Sequence, residues 1–319
     1  MSYGEFAFID RLLRPLAAGM PGALELGDDA ALVTPPAGRE LVLAKDALVA
    51  GIHFFAEDPA ILVAGKALRV NLSDLAAMGA EPLGYLLALA LPRDVEDRWL
   101  EDFVAGLRET QERFGLGLLG GDTVATPGPA TLSVTVLGQL PEGTALLRSG
   151  ARPGDDIWVS GRLGEAAMGL RILRGLAVPD EEAMPLVARY HTPEPRLDLG
   201  RALRGIARAA IDISDGLVAD LGHICRRSGV GAIVELDRLP VSELLRGIPR
   251  WRETVLTGGD DYELLFTADA GDRTAIAALS RTLDLPLTRI GRTTVGEGVR
   301  VVDAAGRDIP IVASGWRHF

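Results

Sequence analysis

Apolar positions along the chain follow two alternating patterns: short continuous runs, typical of buried strands, and three- to four-residue spacing, typical of amphipathic helices. In the first half, the runs predict strands at 24–33, 39–49, 82–91 and 130–140, and a further strand leading into GGDT at 120–123. Helical spacing predicts helices at 4–17, 59–78 and 94–114. We therefore expect an α/β domain over residues 1–143, with Asp74 near the C-terminal end of its long middle helix.

A second domain is expected over residues 144–319, because the stretch at 144–156 has the Gly, Pro and Arg content of a domain boundary. Beyond it the patterns predict a strand at DIWVS, helices near 164–176, 180–190 and 196–207, a strand ending in IDISDGL at 211–217, a helix to Arg227, a strand at 230–236 and further strands and helices to Phe319. Asp212 and Asp215 then lie where a strand passes into a helix, which is where open α/β sheets place ligand groups.

Six segments place Asp beside Gly, Ser or Thr at the edge of an apolar run: GDDAA at 27–31, KDAL at 45–48, NLSDLAAMGA at 71–80, GGDT at 120–123, IDISDGL at 211–217 and GGDDYELLFT at 258–267. Any one of them has an ordinary turn composition. Converging carboxylates repel, however, by about 1 kcal/mol in water and about 4 kcal/mol at an effective dielectric near 20 for a pair about 4 Å apart. Oxygen ligands of this kind favour Mg²⁺, so the segments together predict a magnesium-bridged polyphosphate.

Composition and charge exclude some classes of binding partner. The 319 residues are 48% hydrophobic with a net charge of −11 and a pI near 5.0, which argues against nucleic acid and against an acidic membrane surface. The single cysteine, Cys225, cannot form an intrachain disulfide, falls in a predicted apolar helix and fits a reducing cytoplasm. The N-terminus lacks the pattern of a secretory signal, and the apolar run at 82–92 is long enough only for a buried strand, so no membrane span is expected.

Familiar nucleotide and hydrolase signatures are missing. The sequence contains no G-x-x-x-x-G-K-[ST] loop and no G-x-S-x-G elbow, and acids flank Ser214, where they would oppose alkoxide formation. GRLGEAAMGL at 161–170 lacks the full dinucleotide fingerprint and is interpreted as helix packing. His53 and Trp316 could each be purely structural on residue type alone.

Seven segments taken in order, GDDAA, AGIHF, VNLSDLAAMGAEP, GGDT, RSGARPGD, DISDGL and GGDDYELLFT, resemble the thiamine-monophosphate kinase family along nearly the whole chain. That family belongs to the superfamily of aminoimidazole ribonucleotide synthetase and selenophosphate synthetase. The resemblance implies two α/β domains with mixed sheets and an ATP cleft between them, without a P-loop. It implies Mg²⁺-dependent transfer of the γ-phosphoryl group of ATP to thiamine monophosphate, the last step of thiamine diphosphate biosynthesis, by a cytoplasmic homodimer joined through the N-terminal domains.

The resemblance also implies roles for particular residues. Several Mg²⁺ ions are expected on Asp29, Asp46, Asp74, Asp122, Asp212 and Asp215; ATP on Gly121, Asp122, Arg148 and Ser214; and thiamine monophosphate on His53, Asp260 and Trp316. An indole face attracts a cation, an acid can pair with the cationic ring of thiamine, and a guanidinium suits phosphate oxygens. No residue is expected to form a covalent intermediate or to act as a general base, because the acceptor phosphate is already anionic and transfer needs mainly alignment and charge neutralisation.

One departure concerns the metal sites. Many relatives have a Ser/Thr-Thr-Asp-Thr run where this chain has Ala44, Lys45, Asp46 and Ala47, so hydroxyl ligands are missing. Either Lys45 supplies positive charge in place of part of one metal's role, or its side chain points to solvent across the strand.

Two other functions stay open from the sequence. A related enzyme could use the same ATP site with another acceptor, although the reactive N-terminal Cys of selenophosphate synthetases is absent. A non-catalytic nucleotide or metal sensor could bind Mg²⁺ without turnover. Release of ADP with and without thiamine monophosphate separates these possibilities.

Overall fold

The computed structural model of the chain describes residues 4–311 and Gly315. It divides into two compact units: the first extends to Leu75 and resumes over Ala80–Gly143, and the second comprises Ala76–Gly79 and the chain from Thr144 onwards. Each unit contains one mixed sheet with its own helices, which confirms the predicted α/β class.

The first described segment is helical but irregular. Helix α1 (Glu5–Phe8) continues as a π-helical turn at Ile9–Leu13 and a 3₁₀ turn at Arg14–Ala17, and a second 3₁₀ segment covers Pro21–Leu26. The helix predicted at 4–17 is therefore present in three short pieces.

The strand predicted at 24–33 is wrong. Leu24, Glu25 and Leu26 have φ values of 51°, 58° and 55°, and this left-handed backbone cannot continue a pleated strand. The apolar residue Leu32 is 68% exposed and does not contribute to a buried sheet. Asp28 and Asp29 consequently lie in an irregular loop, which leaves their carboxylates accessible.

The first sheet has the strand order β1-β4-β2-β3, with β2 and β3 parallel and the other pairs antiparallel. Its strands are β1 (Arg39–Val49), β2 (Glu81–Pro92), β3 (Gly117–Thr126) and β4 (Thr131–Pro141); helix α2 (Ala60–Ala77) joins β1 to β2, and helix α3 (Asp97–Phe114) joins β2 to β3. A parallel pair needs such a helical crossover, since a tight turn can only reverse the chain.

The two faces of this sheet differ. On one face α2 and α3 cover the strands: the Leu75 side chain of α2 packs against Gly138 of β4, and the Tyr85 hydroxyl of β2 donates to Gln111 Oε1 of α3 at 3.2 Å. On the other face, Leu43 of β1 and Val124 of β3 are 63% and 50% exposed. The described structure thus leaves apolar strand positions open to solvent on one side only.

The second sheet has the order β10-β7-β9-β5-β8-β6, in which only β10 and β7 are parallel. Its strands are β5 (Asp156–Ser160), β6 (Ala207–Asp212), β7 (Gly231–Glu235), β8 (Leu264–Ala268), β9 (Leu287–Thr294) and β10 (Val299–Val302). The accompanying helices are α4 (Glu165–Leu173), α5 (Asp180–His191), α6 (Leu197–Leu203), α7 (Leu217–Ser228), α8 (Glu243–Gly247), α9 (Trp251–Thr257) and α10 (Arg273–Thr282).

Helix α7 is central to the core of the second unit. Its residues Leu217, Leu221 and Ile224 are fully buried in one cluster with apolar residues of the strands. Cys225 belongs to the same cluster, as the sequence predicted, and burial raises the pKa of its thiol to about 11. The start of α7 is therefore fixed by packing, and the loop after β6 is attached to a rigid element.

Among the described residues, none of the helices combines the length and hydropathy that a membrane crossing requires.

Candidate active site

Two of the predicted acidic segments meet at one cavity of about 640 Å³ in the first unit. Asp28 and Asp29 of the irregular loop line it together with Gly121 and Asp122 of β3. Asp122 is exposed and lies inside β3, not at the end of a strand as the sequence predicted. Leucine side chains from the sheet line much of the remaining wall. The cavity combines oxygen ligands with an apolar surface.

Asp46 lies on the other face of the same sheet. In the strand register Asp46 aligns with Val134 and Leu87, whereas Asp122 aligns with Ala88. Because side chains alternate between faces along a strand, the carboxylates of Asp46 and Asp122 point to opposite sides. Asp46 lies near the end of β1, as the sequence predicted. The structure therefore does not place all the predicted metal ligands of the first unit at one point.

Asp46 and Asp74 lie on two elements, β1 and α2, that are in contact. The backbone N–H of Asp46 donates to Asn71 Oδ1 at 2.9 Å, and the Asn71 amide in turn donates to the Ala67 carbonyl at 2.9 Å. Asp74 follows Asn71 by one helical turn and is half-buried. A fully buried asparagine thus fixes the strand that carries one predicted ligand against the helix that carries the other.

His53 is held in a tight turn directly after β1. Its Nδ1 accepts the backbone N–H of Val49 at 3.0 Å, and the buried Lys66 of α2 donates to its carbonyl at 3.2 Å. Because Nδ1 is the acceptor, the neutral ring carries its proton on Nε2. The turn, and with it the orientation of the imidazole, is fixed by the backbone and by α2.

Lys45 lies on the opposite face from Asp46. Its ammonium group is exposed and donates to Ser133 Oγ at 2.7 Å and to Thr135 Oγ1 at 3.3 Å on the neighbouring strand β4. This placement agrees with the second of the two alternatives considered for Lys45 and not with a charge that replaces a metal beside Asp46.

In the second unit the segments IDISDGL and GGDDYELLFT pack backbone to backbone. The Ser214 carbonyl accepts the N–H of Asp260 at 3.0 Å, and the Ile213 carbonyl accepts the N–H of Tyr262 at 2.8 Å. A Cβ added to Gly259 would lie 2.2 Å from the Ser214 oxygen, so only glycine permits this approach. Asp260 adopts a left-handed conformation with φ 68°. The loop that carries Ser214 and Asp215 is therefore in direct contact with the loop that carries Asp260.

Asp220 is a functional candidate that the sequence analysis missed. It lies in the first turn of α7, is 2% exposed, and its Oδ2 accepts the backbone N–H groups of Ser214, Asp215 and Gly216 at 3.1, 3.1 and 3.0 Å. Burial, followed by repulsion from Asp212 and Asp215, raises the pKa of Asp220 to about 7. The available signal was an acid among the apolar positions Leu217, Leu221 and Ile224 of the helix.

Arg148 and His223 lie beside this acidic loop. Arg148 is exposed, and the carbonyl of the preceding Leu147 accepts the N–H of Ala210 in β6 at 2.9 Å. Burial, with the positive charges of Arg226 and Arg148, lowers the pKa of His223, while Asp215 opposes the shift. Ligand atoms of His223, Asp215 and Asp220 lie within 4.8 Å of one another. A guanidinium, an imidazole and two carboxylates thus converge at the end of β6.

The tautomer of His223 follows from its contact with Arg226. Nη2 of Arg226 lies 3.1 Å from Nδ1 of His223, and a guanidinium can only donate. Nδ1 must therefore be the acceptor, and the proton of the neutral ring is on Nε2. In this tautomer the imidazole donates from Nε2 and does not offer that nitrogen as a metal ligand.

The other acids of GGDDYELLFT support the fold. Asp261 accepts the N–H of Gly164 at 2.8 Å at the start of α4, and burial raises the pKa of this carboxyl well above its usual range. Glu263 is 3% exposed, forms a two-pronged ion pair with Arg196 and accepts the Ser160 hydroxyl at 2.5 Å. Neighbouring acids in one segment therefore have unlike roles. Trp316, the third predicted contact for thiamine monophosphate, lies outside the described residues.

Comparison with known proteins identifies both units. The family model for the N-terminal domain of AIR synthase related proteins matches residues 27–140, and that for the C-terminal domain matches residues 152–304. The thiamine-monophosphate kinase of Caulobacter vibrioides is 44% identical, with 98% of this chain and 90% of the relative aligned. That of Escherichia coli K12 is 43% identical, with 100% and 99% aligned.

Solved structures give the same result. The thiamine-monophosphate kinase of Stenotrophomonas maltophilia K279a superposes with a TM-score of 0.85 at 47% identity, covering 93% of this chain and 96% of that one. A ThiL protein complexed with AMPPCP and TMP superposes with a TM-score of 0.79 at 33% identity, covering 99% and 97%. The hydrogenase maturation protein HypE of E. coli reaches 0.79 at 21% identity, a likeness that concerns the fold alone.

Proposed function

The chain belongs to the thiamine-monophosphate kinase family, whose domains are those of the AIR synthase related proteins, and we propose on this premise that it phosphorylates thiamine monophosphate to thiamine diphosphate with ATP. One observation carries the proposal: a relative aligned over 99% of this chain has been solved with AMPPCP, an ATP analogue, and with TMP. Donor and acceptor are both represented in that complex. The reaction is the last step in making thiamine diphosphate.

The acidic side chains fit Mg²⁺, because they offer only oxygen atoms and are half-exposed or exposed at Asp29, Asp46, Asp74, Asp122 and Asp215. We assign them to three groups by placement: Asp29 with Asp122 at the cavity, Asp46 with Asp74 at the β1–α2 contact, and Asp212 with Asp215 after β6. Magnesium, when bound, neutralises charge on the transferring phosphoryl group and its oxygens. Asp28, which lines the same cavity as Asp29, joins the first group.

Each of the two substrates is assigned to residues of both units. Gly121 and Asp122 in the first unit and Arg148 and Ser214 in the second are assigned to ATP. Arg148 is suited to phosphate because its side chain is exposed and a guanidinium group can donate two parallel hydrogen bonds to two phosphate oxygens. His53 and Asp260 are assigned to thiamine monophosphate, with Trp316 as a third contact predicted from the sequence. Nε2–H of His53 can donate to a phosphate oxygen, and the Asp260 carboxylate can offset the cationic ring.

The chemistry requires alignment more than proton transfer. The acceptor phosphate is anionic at neutral pH, so no side chain has to remove a proton before attack, and a direct in-line transfer without a covalent intermediate is proposed. The chain's own contribution is to hold the reacting oxygens in line and to exclude other acceptors. Three fixed elements support this role: in the turn of His53, in strand β1 and in the loop after β6, a side chain accepts a hydrogen bond from a backbone N–H group.

A homodimer is proposed through the exposed face of the first sheet. Leu43 and Val124 are 63% and 50% exposed there, and apolar strand positions of this kind usually have a partner. A second copy of the same face would cover them symmetrically. Leu43→Glu with Val124→Glu should yield a monomer by analytical ultracentrifugation, whereas Met184→Glu, at a residue 68% exposed on α5, should not. A cytoplasmic location is also proposed, in keeping with ATP as co-substrate.

The decisive experiment measures ADP and thiamine diphosphate released from ATP with Mg²⁺, with and without thiamine monophosphate. We expect both products to appear in equal amounts, and only when thiamine monophosphate is present. ADP release that is independent of thiamine monophosphate, or that requires another acceptor such as an aminoimidazole ribonucleotide precursor, would contradict the proposal. Chelation by EDTA tests the metal requirement in the same assay.

A further inference from the structure

The loop that carries Ser214 and Asp215 is fixed from two sides by unlike groups. Its carbonyl oxygens accept N–H groups from the loop of Asp260 and Tyr262, as described above. Its own N–H groups point the other way, and three consecutive ones converge on one oxygen of Asp220. The carbonyl side is therefore held by backbone, but the N–H side depends on a single side chain.

This arrangement differs from ordinary helix capping. A capping side chain precedes its helix and binds one N–H of the first turn. Asp220 is inside the helix and reaches back to bind the N–H of Gly216, which precedes α7, and those of the two residues before it. The contact thus orders a loop outside the helix and not the helix itself.

The position of Asp220 is also electrostatically unfavourable. It lies next to Asp215, whose ligand atom is within 4.8 Å of one of its own, and burial removes the water that would screen the repulsion. A neutral acceptor or an apolar residue would avoid this repulsion. The three N–H bonds are the contacts that the buried acid gains in return.

We propose that Asp220 is a positioning residue for phosphoryl transfer: by gathering the N–H groups of Ser214, Asp215 and Gly216 it fixes the backbone on which Asp215 and Ser214 face their ligands. The inference rests on the proposed function, in which Asp215 binds Mg²⁺ and Ser214 binds ATP. Asp220 itself touches neither. Removing the acceptor should loosen the loop and weaken Mg²⁺ binding, while an uncharged acceptor of the same shape should largely preserve both.

Three variants test this role. Asp220→Asn keeps one acceptor oxygen and removes the charge, Asp220→Leu keeps the approximate volume and removes the acceptor, and Asp220→Ala removes both. Ile224→Val on the same buried face of α7 is the matched control, because it perturbs the packing of the helix and leaves the carboxylate of Asp220 in place. Amide hydrogen exchange of residues 213–217, followed by mass spectrometry without metal or nucleotide, reports the loop directly and requires no turnover.

We expect exchange at Ser214, Asp215 and Gly216 to rise at least about tenfold in the Leu and Ala variants, with a rise of less than about threefold in the Asn variant and the control. The Mg²⁺ concentration for half-maximal ADP formation should rise in the same order. Unchanged exchange in Asp220→Leu would overturn the proposal. So would an Asn variant with the Mg²⁺ dependence of the Leu variant, since the charge would then matter and Asp220 would be a metal ligand.

If Asp220→Ala or Asp220→Leu fails to fold, the soluble Asn variant decides the matter. Loop exchange and Mg²⁺ dependence close to those of the wild type support positioning, and a tenfold rise in either contradicts it. Failure of the proposed function is recognised separately, because a wild-type protein without kinase activity would leave the exchange measurement intact.

Discussion

Asp46 and Asp122 in the first unit and Asp212 and Asp215 in the second are positioned by different kinds of structure. The first pair lies within strands, where register with β4 and β2 sets the direction of each side chain. The second pair lies at and after the end of β6, where a buried carboxylate, a glycine contact and a neighbouring loop define the backbone. Strand positions depend little on any single side chain, whereas the loop depends on a few. Acids in the second unit should therefore couple more strongly to stability.

The largest effect is expected at Glu263, a buried acid of the second unit. Glu263→Ala removes the buried carboxylate that pairs with the half-buried Arg196, and breaking such a pair costs about 3–5 kcal/mol. The exposed Asp122 of the first unit should give a change within about 0.5 kcal/mol when replaced by Ala. Urea unfolding followed by circular dichroism measures both. Equal losses of unfolding free energy in the two variants would contradict the stronger coupling of second-unit acids to stability.

A second prediction concerns activity at strand positions. Asp46→Asn or Asp74→Asn should lower the rate of phosphoryl transfer about a hundredfold, equivalent to about 2.7 kcal/mol, because a Mg²⁺ ligand is weakened. The melting temperature should stay close to that of the wild type, since the Asn71 contact uses the backbone of Asp46. Steady-state kinetics with a melting curve tests both parts. Near-normal activity at ordinary Mg²⁺ in both variants would remove the metal-ligand assignment.

The third prediction is a pH dependence that belongs to the second unit. The folded pKa of Asp220 is raised to about 7 from 3.8, so the folded state holds a proton that the unfolded state has lost between these values. The contribution of Asp220 to stability without Mg²⁺ should therefore fall as pH rises from about 4 to 7, by at most about 1.4 kcal/mol per pH unit, and level off above.

Asp220→Asn should remove this contribution and make the dependence of stability on pH less steep. Thermal melts in EDTA at several pH values make the comparison, with Asp46→Asn as the first-unit control that should keep the wild-type slope. A slope unchanged in Asp220→Asn would show that another group is responsible, for instance Asp261, whose pKa is raised in the same direction.

The smallest effect is expected at Lys45. Because its ammonium group bonds to Ser133 and Thr135 on the face away from Asp46, Lys45→Thr should leave the Mg²⁺ titration of activity within about twofold of the wild type. A larger shift would place Lys45 in the metal chemistry despite its direction.

Sequence patterns predicted the elements that carry the site better than the site itself. Helix α2 with Asp74 near its end, strand β1 with Asp46 and the passage from β6 to α7 all follow from hydrophobic spacing. The strand predicted at 24–33 is wrong, because alternation of apolar residues does not reveal three left-handed residues in succession. Hydrophobic spacing therefore identifies helices and strands, but it does not identify residues with unusual backbone dihedral angles.

The roles of neighbouring acids could not be separated by sequence. Asp260 lies in the loop against Ser214, Asp261 caps α4 and Glu263 pairs with Arg196, yet all three occur within four residues of one segment. Their partners come from distant parts of the chain, and composition does not report those partners. Asp220 was missed for a different reason: its partners are close in the chain, but they are backbone N–H groups, which residue type does not report.

Cys225 provides a natural chemical probe of the packing of α7 in the second unit. It is the only cysteine of the chain, is 2% exposed, and lies on α7 a little more than one turn beyond Asp220. With a thiol pKa of about 11, it should react slowly with a chromogenic disulfide reagent while the helix stays packed. The labelling rate of Cys225 in the unmodified protein then reports how often α7 opens. Substrates that make this opening less frequent should lower the labelling rate.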